Sequence, residues 1–222
     1  MARQVRGGLA GVPYLMVQRV QQGQLLVRDD QDRQRLLDTL RMASRDHKVA
    51  VHAYALGEDA WWLLATPATE DGLSLMVQSV GRQYVGYYNR RHGRHGSLWA
   101  SRYKSCVVAS AQDLLDSVVL IDSSNPAGAW SSAAHHLGRV VDPLVSDHAQ
   151  FWTLGNTPFE REAAWRCRVE EGLPQLRRVQ LTDAASKGWA VGRPEDIQRL
   201  QMQTDRRLTP GKRGRPPKRL AV

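Results

Sequence analysis

The chain has 222 residues, of which 42% are hydrophobic, and it carries a net charge of +9. That length suits one domain with a sizeable core plus an appendage, or two small domains, and the apolar stretches are too short to span a bilayer. The sequence has no apolar run typical of a secretory signal, and its two cysteines, Cys106 and Cys167, fit no metal-binding spacing. We therefore expect a reduced cytoplasmic protein that does not enter a membrane.

The positive charge is concentrated in two segments. Residues 71–107 contain six basic residues and one acid, and residues 206–222 contain seven basic residues and no acid, so the rest of the chain is net negative by three. A solvated basic face would explain either cluster alone. Two separate clusters favour a polyanionic partner, DNA or RNA, because clustered cations are the electrostatic footprint of nucleic-acid binding.

The first half of the chain alternates between strand and helix patterns. Residues 12–20 predict a strand, and residues 33–45, which follow a helix-start signal, place leucines at helical spacing. Residues 49–56 alternate as a half-buried strand should, with positions 49, 51, 53 and 55 on one face, and residues 61–65 predict its hairpin partner.

The second half begins with a long predicted helix over residues 72–91. A strand over residues 97–108 and a helix over residues 111–121 follow. Further helices are predicted over residues 158–171, 174–187 and 194–206. This order predicts an α+β core whose antiparallel sheet is covered by helices mainly on one face.

Short fragments along the chain carry a family resemblance through their order and spacing. They are Gly11-Val-Pro-Tyr14, Gln18-Arg19, Arg28-Asp-Asp30, Val51-His-Ala-Tyr54, Met76–Tyr84, Tyr88–Gly93, Gly96-Ser-Leu-Trp99, Arg102-Tyr-Lys-Ser105, Trp130-Ser-Ser132, Lys187-Gly-Trp189 and Arg206–Pro210. Together they resemble the REP-associated tyrosine transposases, a group of single-tyrosine HUH transposases, over nearly the whole chain. The resemblance implies a ferredoxin-like sheet, a homodimer and recognition of DNA that forms hairpins.

The resemblance also implies a chemistry that can be tested against the residues. Members of the family cut single-stranded DNA with a tyrosine nucleophile, while a histidine–bulky–histidine pair on a strand holds a divalent cation. A phenol of pKa near 10 is a poor nucleophile at neutral pH, so the cation is needed to neutralise charge that develops on the phosphate.

The histidine pair of the family would fall at Ala60 and Trp62. Alanine has no donor atom and tryptophan offers only an indole N–H, so neither can bind a metal. A shift of one residue finds no histidine either. Glu58 and Asp59 could hold a hard cation as carboxylates, although they fall in a predicted turn and would face opposite ways. We therefore expect no metal site and no cofactor.

The nucleophile of the family would fall on the helix before Asn125-Pro126. Counting from the helix start places Leu120 at the tyrosine position and Ser124 at the position of a third metal ligand. Counting back from the Asn-Pro pair places Ile121 at the tyrosine position and keeps Asn125. Neither count finds a tyrosine, so we predict no catalytic residue.

Tyrosines and histidines elsewhere give weaker signals. Tyr84, Tyr87 and Tyr88 could substitute as nucleophiles, but aromatic residues on a helix are more typical of a core or of a surface that stacks on bases. The adjacent His135 and His136 cannot share one helix face, and we expect both at the surface.

The basic tail contains the best-preserved motif, Arg213-Gly214-Arg215-Pro216 with basic neighbours. It resembles an AT-hook, in which arginines extend along a narrow A·T minor groove and glycine permits close approach of the backbone. A generic cationic tail is the alternative. The predicted DNA-binding residues are Arg19, Arg82, Arg90, Arg91, Arg102 and Lys104 in the folded part, with Lys212, Arg213, Gly214, Arg215, Pro216 and Lys218 in the tail.

These observations predict three parts: an HUH-transposase-like domain over residues 1–150, a helical region over 151–208 and a disordered basic tail over 209–222. We interpret the chain as a homodimeric, nucleoid-associated DNA-binding protein that has lost its chemistry. It would bind hairpin or single-stranded DNA through the folded part and A·T-rich duplex through the tail. An active transposase with a substitute tyrosine and a protein that pairs with an active relative are the alternatives.

Overall fold

The computed structural model describes residues 8–124 and 130–211. In this part of the chain a four-stranded antiparallel sheet has the order β2-β3-β1-β4. The strands are β1 (Tyr14–Arg19), β2 (Val49–Leu56), β3 (Ala60–Pro67) and β4 (Lys104–Val107). Helix α1 (Asp30–Asp46) links β1 to β2, and helix α2 (Gly72–Arg91) links β3 to β4. This βαββαβ order is that of a ferredoxin-like sheet, so the predicted α+β fold is confirmed.

Six further helices follow the sheet in the described residues: α3 (Ala111–Asp122), α4 (Ala133–His136), α5 (Ala149–Trp152), α6 (Pro158–Glu171), α7 (Gln175–Lys187) and α8 (Pro194–Gln201). Local sequence explains where they begin and end. Thr157 and Glu160 form a reciprocal capping box at the start of α6, and Gly188 ends α7 in the left-handed conformation at φ 77°. None of the helices in the described residues is long and apolar enough to cross a membrane.

The two faces of the sheet are covered by different sets of helices. Helices α1 and α2 pack on one face, around buried residues such as Met16, Leu40 and Tyr84. Helices α3, α6 and α7 contribute to a second core on the opposite face, where Leu15 and Trp165 are buried. The α1–α2 layer is the one expected from the ferredoxin-like pattern, and the helices after β4 add a layer of their own.

Strand β2 departs from the predicted alternation. A β-bulge lies between Val51 and Ala53, and the side chains beyond it change faces. Tyr54 therefore packs with Val51 on the α1–α2 face, whereas Ala53 and Ala55 belong to the opposite core. The predicted single face for positions 49, 51, 53 and 55 is wrong because an extra residue in one strand shifts the register by one.

Two predicted elements are longer than the observed ones. The strand predicted over residues 97–108 is regular only from Lys104 to Val107. The helix predicted over residues 194–206 ends at Gln201, whose side-chain amide donates to the carbonyls of Thr204 and Arg206. In both places the regular element ends early and the following residues form irregular contacts, from Trp99 to Val20 and from the Gln201 side chain to Thr204 and Arg206.

Candidate nucleic-acid interface

The positions that correspond to the histidine pair lie on β3 and face the second core. Ala60 is opposite Arg19, and Trp62 is opposite Val17 and Ala55. Ala60 is buried and Trp62 is half-buried, and both pack in the core beneath α3. These side chains do not fit a divalent cation, because the place of two imidazole donors is taken by apolar packing.

Helix α3 covers this part of the sheet with aliphatic side chains. Leu120 and Ile121, the two candidates for the nucleophile position, are both buried in the second core. The sheet positions and the helix positions therefore belong to the same hydrophobic core.

A buried polar network at the end of α3 joins this helix to the C-terminal helices. Asp122 accepts hydrogen bonds from Ser132 Oγ at 2.7 Å, His136 Nδ1 at 2.8 Å and Trp165 Nε1 at 3.2 Å. His136 Nε2 lies 3.0 Å from the carbonyl oxygen of His52, so both ring nitrogens donate. The expectation that His136 lies at the surface is wrong, because its side chain is the positive partner of a buried carboxylate.

The charge state of His136 follows from this geometry. Burial lowers the pKa of His136, but the charge and hydrogen bond of Asp122 outweigh that effect and raise the pKa above its usual value. The network is thus a buried ion pair between Asp122 and His136, in which both ring N–H groups of His136 have an acceptor.

Among residues 8–124 and 130–211, no three histidine, cysteine, aspartate or glutamate side chains lie close enough together to hold a metal ion. Asp59, one of the two carboxylates considered as substitutes, forms an ion pair with Arg19 at 3.1 Å. Glu58 is exposed in the turn before β3. The pair does not converge on a common point with other donors.

The tyrosines of α2 lie on the other side of the sheet. Tyr84 donates to the carbonyl of Leu26 at 2.6 Å, and Tyr88 donates to the carbonyl of Leu25 at 2.8 Å; both side chains are buried. Burial, followed by the charge of Asp32, raises the pKa of Tyr84. The interpretation of Tyr84 and Tyr88 as core residues is confirmed, and their hydroxyls are poorly placed to reach a phosphodiester.

The predicted basic residues separate into two groups. Arg91 binds Asp29 through both terminal nitrogens at 2.7 Å and also contacts the buried Asp32 at 2.5 Å. These bonds raise the pKa of Arg91 and hold the end of α2 against the start of α1. Arg91 is thus an internal clamp, and Arg19 is engaged by Asp59.

The other group consists of exposed side chains. In the part of the chain that the structure describes, no carboxylate lies within 4 Å of the Arg82, Arg90, Arg102 or Lys104 side chains, all of which are exposed. Arg82 and Arg102 line one groove, although they are twenty positions apart in the sequence. The residues Lys212, Arg213, Gly214, Arg215, Pro216 and Lys218 lie outside the described residues, as do Asn125 and Pro126.

The groove lies between α2 and the segment 97–103 and has a volume of about 720 Å³. Lys104 is opposite Val17 on β1, and Trp99 bridges to Val20. Five residue steps separate Trp99 from Lys104, whereas three separate Val20 from Val17 on β1. The two additional residues cannot pair with β1, so the segment departs from regular strand geometry. The groove lies beside this irregular segment, and Gln18 of β1 is among the residues that line it.

The described residues that line the groove include basic, polar and aromatic groups and no acidic residue. The lining residues are Gln18, Ser74, Leu75, Val77, Gln78, Gly81, Arg82, Val85, Ser97, Trp99, Ser101, Arg102 and Tyr103. Sequence reasoning singled out neither Gln18 nor Trp99, although both lie in fragments that carry the family resemblance. Only their shared groove distinguishes them from ordinary core residues.

The chain matches no family model and no curated protein. Among solved structures it is similar to a REP-associated tyrosine transposase bound to a REP hairpin, with a TM-score of 0.51 and 17% identity, over 68% of this chain and 96% of that one. A protein of Deinococcus radiodurans assigned to the transposases covers 50% of this chain and 89% of its own, at 19% identity and a TM-score of 0.38, too low to define a fold. The chain therefore has the fold of a REP-associated tyrosine transposase.

Proposed function

We propose that this protein binds DNA without cutting it, on the scaffold of a REP-associated tyrosine transposase that has lost its active site. The observation that carries the proposal is the contrast between two regions. The positions that the resemblance assigns to the metal ligands and the nucleophile are packed into a hydrophobic core. Arg82 and Arg102, by contrast, are exposed beside a groove and have no acidic partner among residues 8–124 and 130–211. A protein that lacks the catalytic residues but keeps exposed arginines beside a groove is expected to bind DNA rather than to cut it.

The kind of DNA is suggested by the structural neighbour, which is bound to a REP hairpin. We propose that this chain likewise recognises hairpin or single-stranded DNA through the edge formed by α2 and the segment 97–104. Single-strand binders combine a basic groove with aromatic side chains, and Trp99 supplies an aromatic ring here.

The tail adds a second proposed contact. Leu208 is buried in the α1–α2 core, and its carbonyl accepts from the Ala190 amide at 2.8 Å, so the chain is anchored four residues before Lys212. We propose that residues 209–222 act as a separate segment that inserts Arg213 and Arg215 into the minor groove of A·T-rich duplex. A homodimer and a nucleoid location complete the proposal.

Two measurements on the purified protein test the core of the proposal. Incubation with a labelled hairpin and Mg²⁺ or Mn²⁺ should give a shifted complex in a native gel, with neither a cleaved strand nor a covalent protein–DNA adduct. An adduct would overturn the claim of lost chemistry, and the absence of any complex would overturn DNA binding itself.

The interface can be located by the salt dependence of binding. Replacing Arg82 and Arg102 by Ala together should lower the slope of log affinity against log salt by roughly 1.4–1.8, because each phosphate contact contributes about 0.7–0.9. Arg139→Ala with Arg166→Ala is the matched control, since both arginines are exposed and lack a carboxylate partner within the described residues. The control removes the same charge and should leave the slope nearly unchanged.

A further inference from the structure

The outer edge of β2 is covered by residues 142–148, which we call the strap. Val145 pairs with Val51 in a parallel bridge, and the Ser146 amide donates to the carbonyl of Val51 at 2.7 Å. Leu144 is buried in the α1–α2 core and anchors the strap from the inside. Because β2 is the last strand at its end of the sheet, the strap covers backbone groups to which another strand could otherwise pair.

His52 joins the strap to the sheet. It is the extra residue of the β-bulge between Val51 and Ala53, a position at which a strand can direct a side chain away from its regular alternation. Its Nδ1 lies 2.7 Å from the carbonyl oxygen of Ser146 and therefore donates. Its Nε2 lies 2.8 Å from Thr66 Oγ1 and accepts in the neutral ring. The side chain is buried, so this contact with the strap depends on an imidazole that is shielded from water.

His148 ends the strap at the start of helix α5. Its Nδ1 accepts a hydrogen bond from the Gln150 amide at 3.2 Å and so caps the helix. A ring nitrogen that accepts from an N–H carries no proton, so protonation of this nitrogen breaks the cap. The ring of His148 also packs edge-on against that of His52, with centroids 4.9 Å apart. Protonation of both rings would therefore place two positive charges side by side.

The described acidic groups near the two rings are bound to other partners. No carboxylate of residues 8–124 and 130–211 lies within 4 Å of His52 or His148. Asp147 pairs with His135 at 3.4 Å, Asp142 accepts from Tyr54 at 2.5 Å, and Asp122 accepts from His136 at 2.8 Å. Further charged groups beside the strap are Arg41 of α1 near Tyr54, Arg139 after α4, and Arg161 and Glu162 of α6.

The pKa values of the two rings reflect this arrangement. Burial lowers the pKa of His52 to about 4, although the hydrogen bond to Ser146 opposes the effect. The charges of His148 and His136 act in the same direction as burial. Burial also lowers the pKa of His148. Both rings are therefore neutral at neutral pH while the strap is closed, and they bind a proton more tightly once they reach water.

We infer that His52 and His148 form an acid-sensitive latch, which releases the strap from the edge of β2 when the two rings take up protons. Above about pH 6.5 the neutral rings hold the strap closed, and this contribution is lost as the pH falls toward about 4. Opening then lets both rings become charged in water, so the open form gains population. The groove proposed for DNA is lined by β1 and α2 rather than by β2, so the latch does not rest on the proposed function.

Hydrogen–deuterium exchange of the full-length protein, followed by mass spectrometry, measures the opening of the strap. Exchange is compared at about pH 7.5 and about pH 5, with labelling times adjusted for the slower intrinsic exchange at low pH. With a pKa of about 6.5 for His52 in the open strap and about 4 in the closed one, opening is about thirtyfold more favourable at pH 5. Protection of the peptide that contains residues 142–148 should fall by that factor or more, because His148 adds to the effect.

Urea distinguishes local opening of the strap from unfolding of the whole protein. At pH 5 the strap should be less protected than β1 and β3. Low concentrations of urea should accelerate exchange in β1 and β3 and leave that of the strap nearly unchanged, because local opening exposes little surface. Equal protection and equal urea dependence in the strap and the sheet would mean that the histidines act only on global stability, which overturns the latch.

The variants replace each histidine by a side chain that keeps its hydrogen bond but cannot be charged. His148→Asn retains a capping acceptor, and His52→Asn retains an amide donor toward Ser146. With both substitutions, protection of the strap should change by less than about threefold between the two pH values. His95→Asn is the matched control, because His95 is exposed in the segment after α2, and it should show the wild-type fall.

Either of two results overturns the latch: wild-type protection of the strap that does not fall at pH 5, or a folded double variant whose protection falls as in the wild type. If the double variant fails to fold, an NMR titration of the wild type replaces it. The ring nitrogens of His52 and His148 and the Ser146 amide should then shift with a common midpoint. An amide that does not follow the two rings also overturns the inference.

Discussion

Removal of the Asp122 carboxylate should destabilise the protein strongly. Asp122 is buried and accepts three hydrogen bonds, from Ser132, His136 and Trp165. Asp122→Ala leaves the Trp165 indole N–H and one N–H of the charged His136 imidazole without an acceptor. The Ser132 hydroxyl retains the carbonyl of Tyr54 at 3.3 Å. Breaking a buried ion pair from one side costs about 3–5 kcal/mol, a large share of the roughly 5–15 kcal/mol by which domains are stable.

Urea unfolding followed by circular dichroism measures this effect. With a slope of about 2–3 kcal/mol per molar, the loss corresponds to a midpoint lower by more than about 1 M. Asp183→Ala is the matched control, because Asp183 pairs with Lys187 on the surface of α7 with 55% of its side chain exposed. A surface pair of this kind contributes about 0–1 kcal/mol.

The comparison of the two variants decides whether the network fastens the C-terminal helices to α3. If Asp122→Ala shifts the midpoint no more than Asp183→Ala does, the buried ion pair described here does not hold that face of the sheet closed. Asp122→Asn should lie between the two, since the amide retains an acceptor oxygen but not the charge that stabilises His136.

Three further results are expected. Burial lowers the pKa of His52 to about 4, against about 6.5 when unfolded. Stability is therefore complete above pH 6.5, and up to about 3 kcal/mol of the free energy of unfolding is lost as the pH falls toward 4. In His52→Asn this part of the pH dependence of urea unfolding should disappear, and an unchanged curve would contradict the prediction. Arg91→Ala should lower the melting temperature by several degrees, whereas Arg90→Ala should leave it unchanged and weaken DNA binding only; similar melting temperatures would show that the clamp contributes little. Arg213→Ala with Arg215→Ala should weaken binding to A·T-rich duplex more than to G·C-rich duplex in a gel-shift titration, and equal losses would reduce the tail to a plain cationic segment.

Much of the fold follows from local patterns in the sequence. The long helix predicted over residues 72–91 is observed over the same residues, and the strand predicted over residues 49–56 is also observed in full. Such elements have a strong period and clear ends. The prediction was wrong where a long-range contact overrides the local pattern, as at the bulge after Val51 and in the segment 97–103.

The fate of His136 shows the same limit for a single residue. Its neighbour His135 and the short helix around it suggest a polar surface. The side chain is buried because Asp122, fourteen positions earlier, and the His52 carbonyl, eighty-four positions earlier, accept its two protons. No pattern of neighbouring residues carries that information.

The sequence by itself determined which side chains stand where the family resemblance places the metal ligands and the nucleophile, and a side chain without a donor atom cannot bind a metal wherever it lies. The identities of Ala60, Trp62, Leu120 and Ile121 therefore carry the proposal that the cutting chemistry is lost. Only the tertiary structure decided that these positions close into a core, and that the basic residues near α2 divide into an internal clamp and an open groove. The sequence gives the number and positions of the charged residues. Whether an arginine forms an ion pair with an aspartate or is exposed to solvent depends on which distant segments the fold brings together.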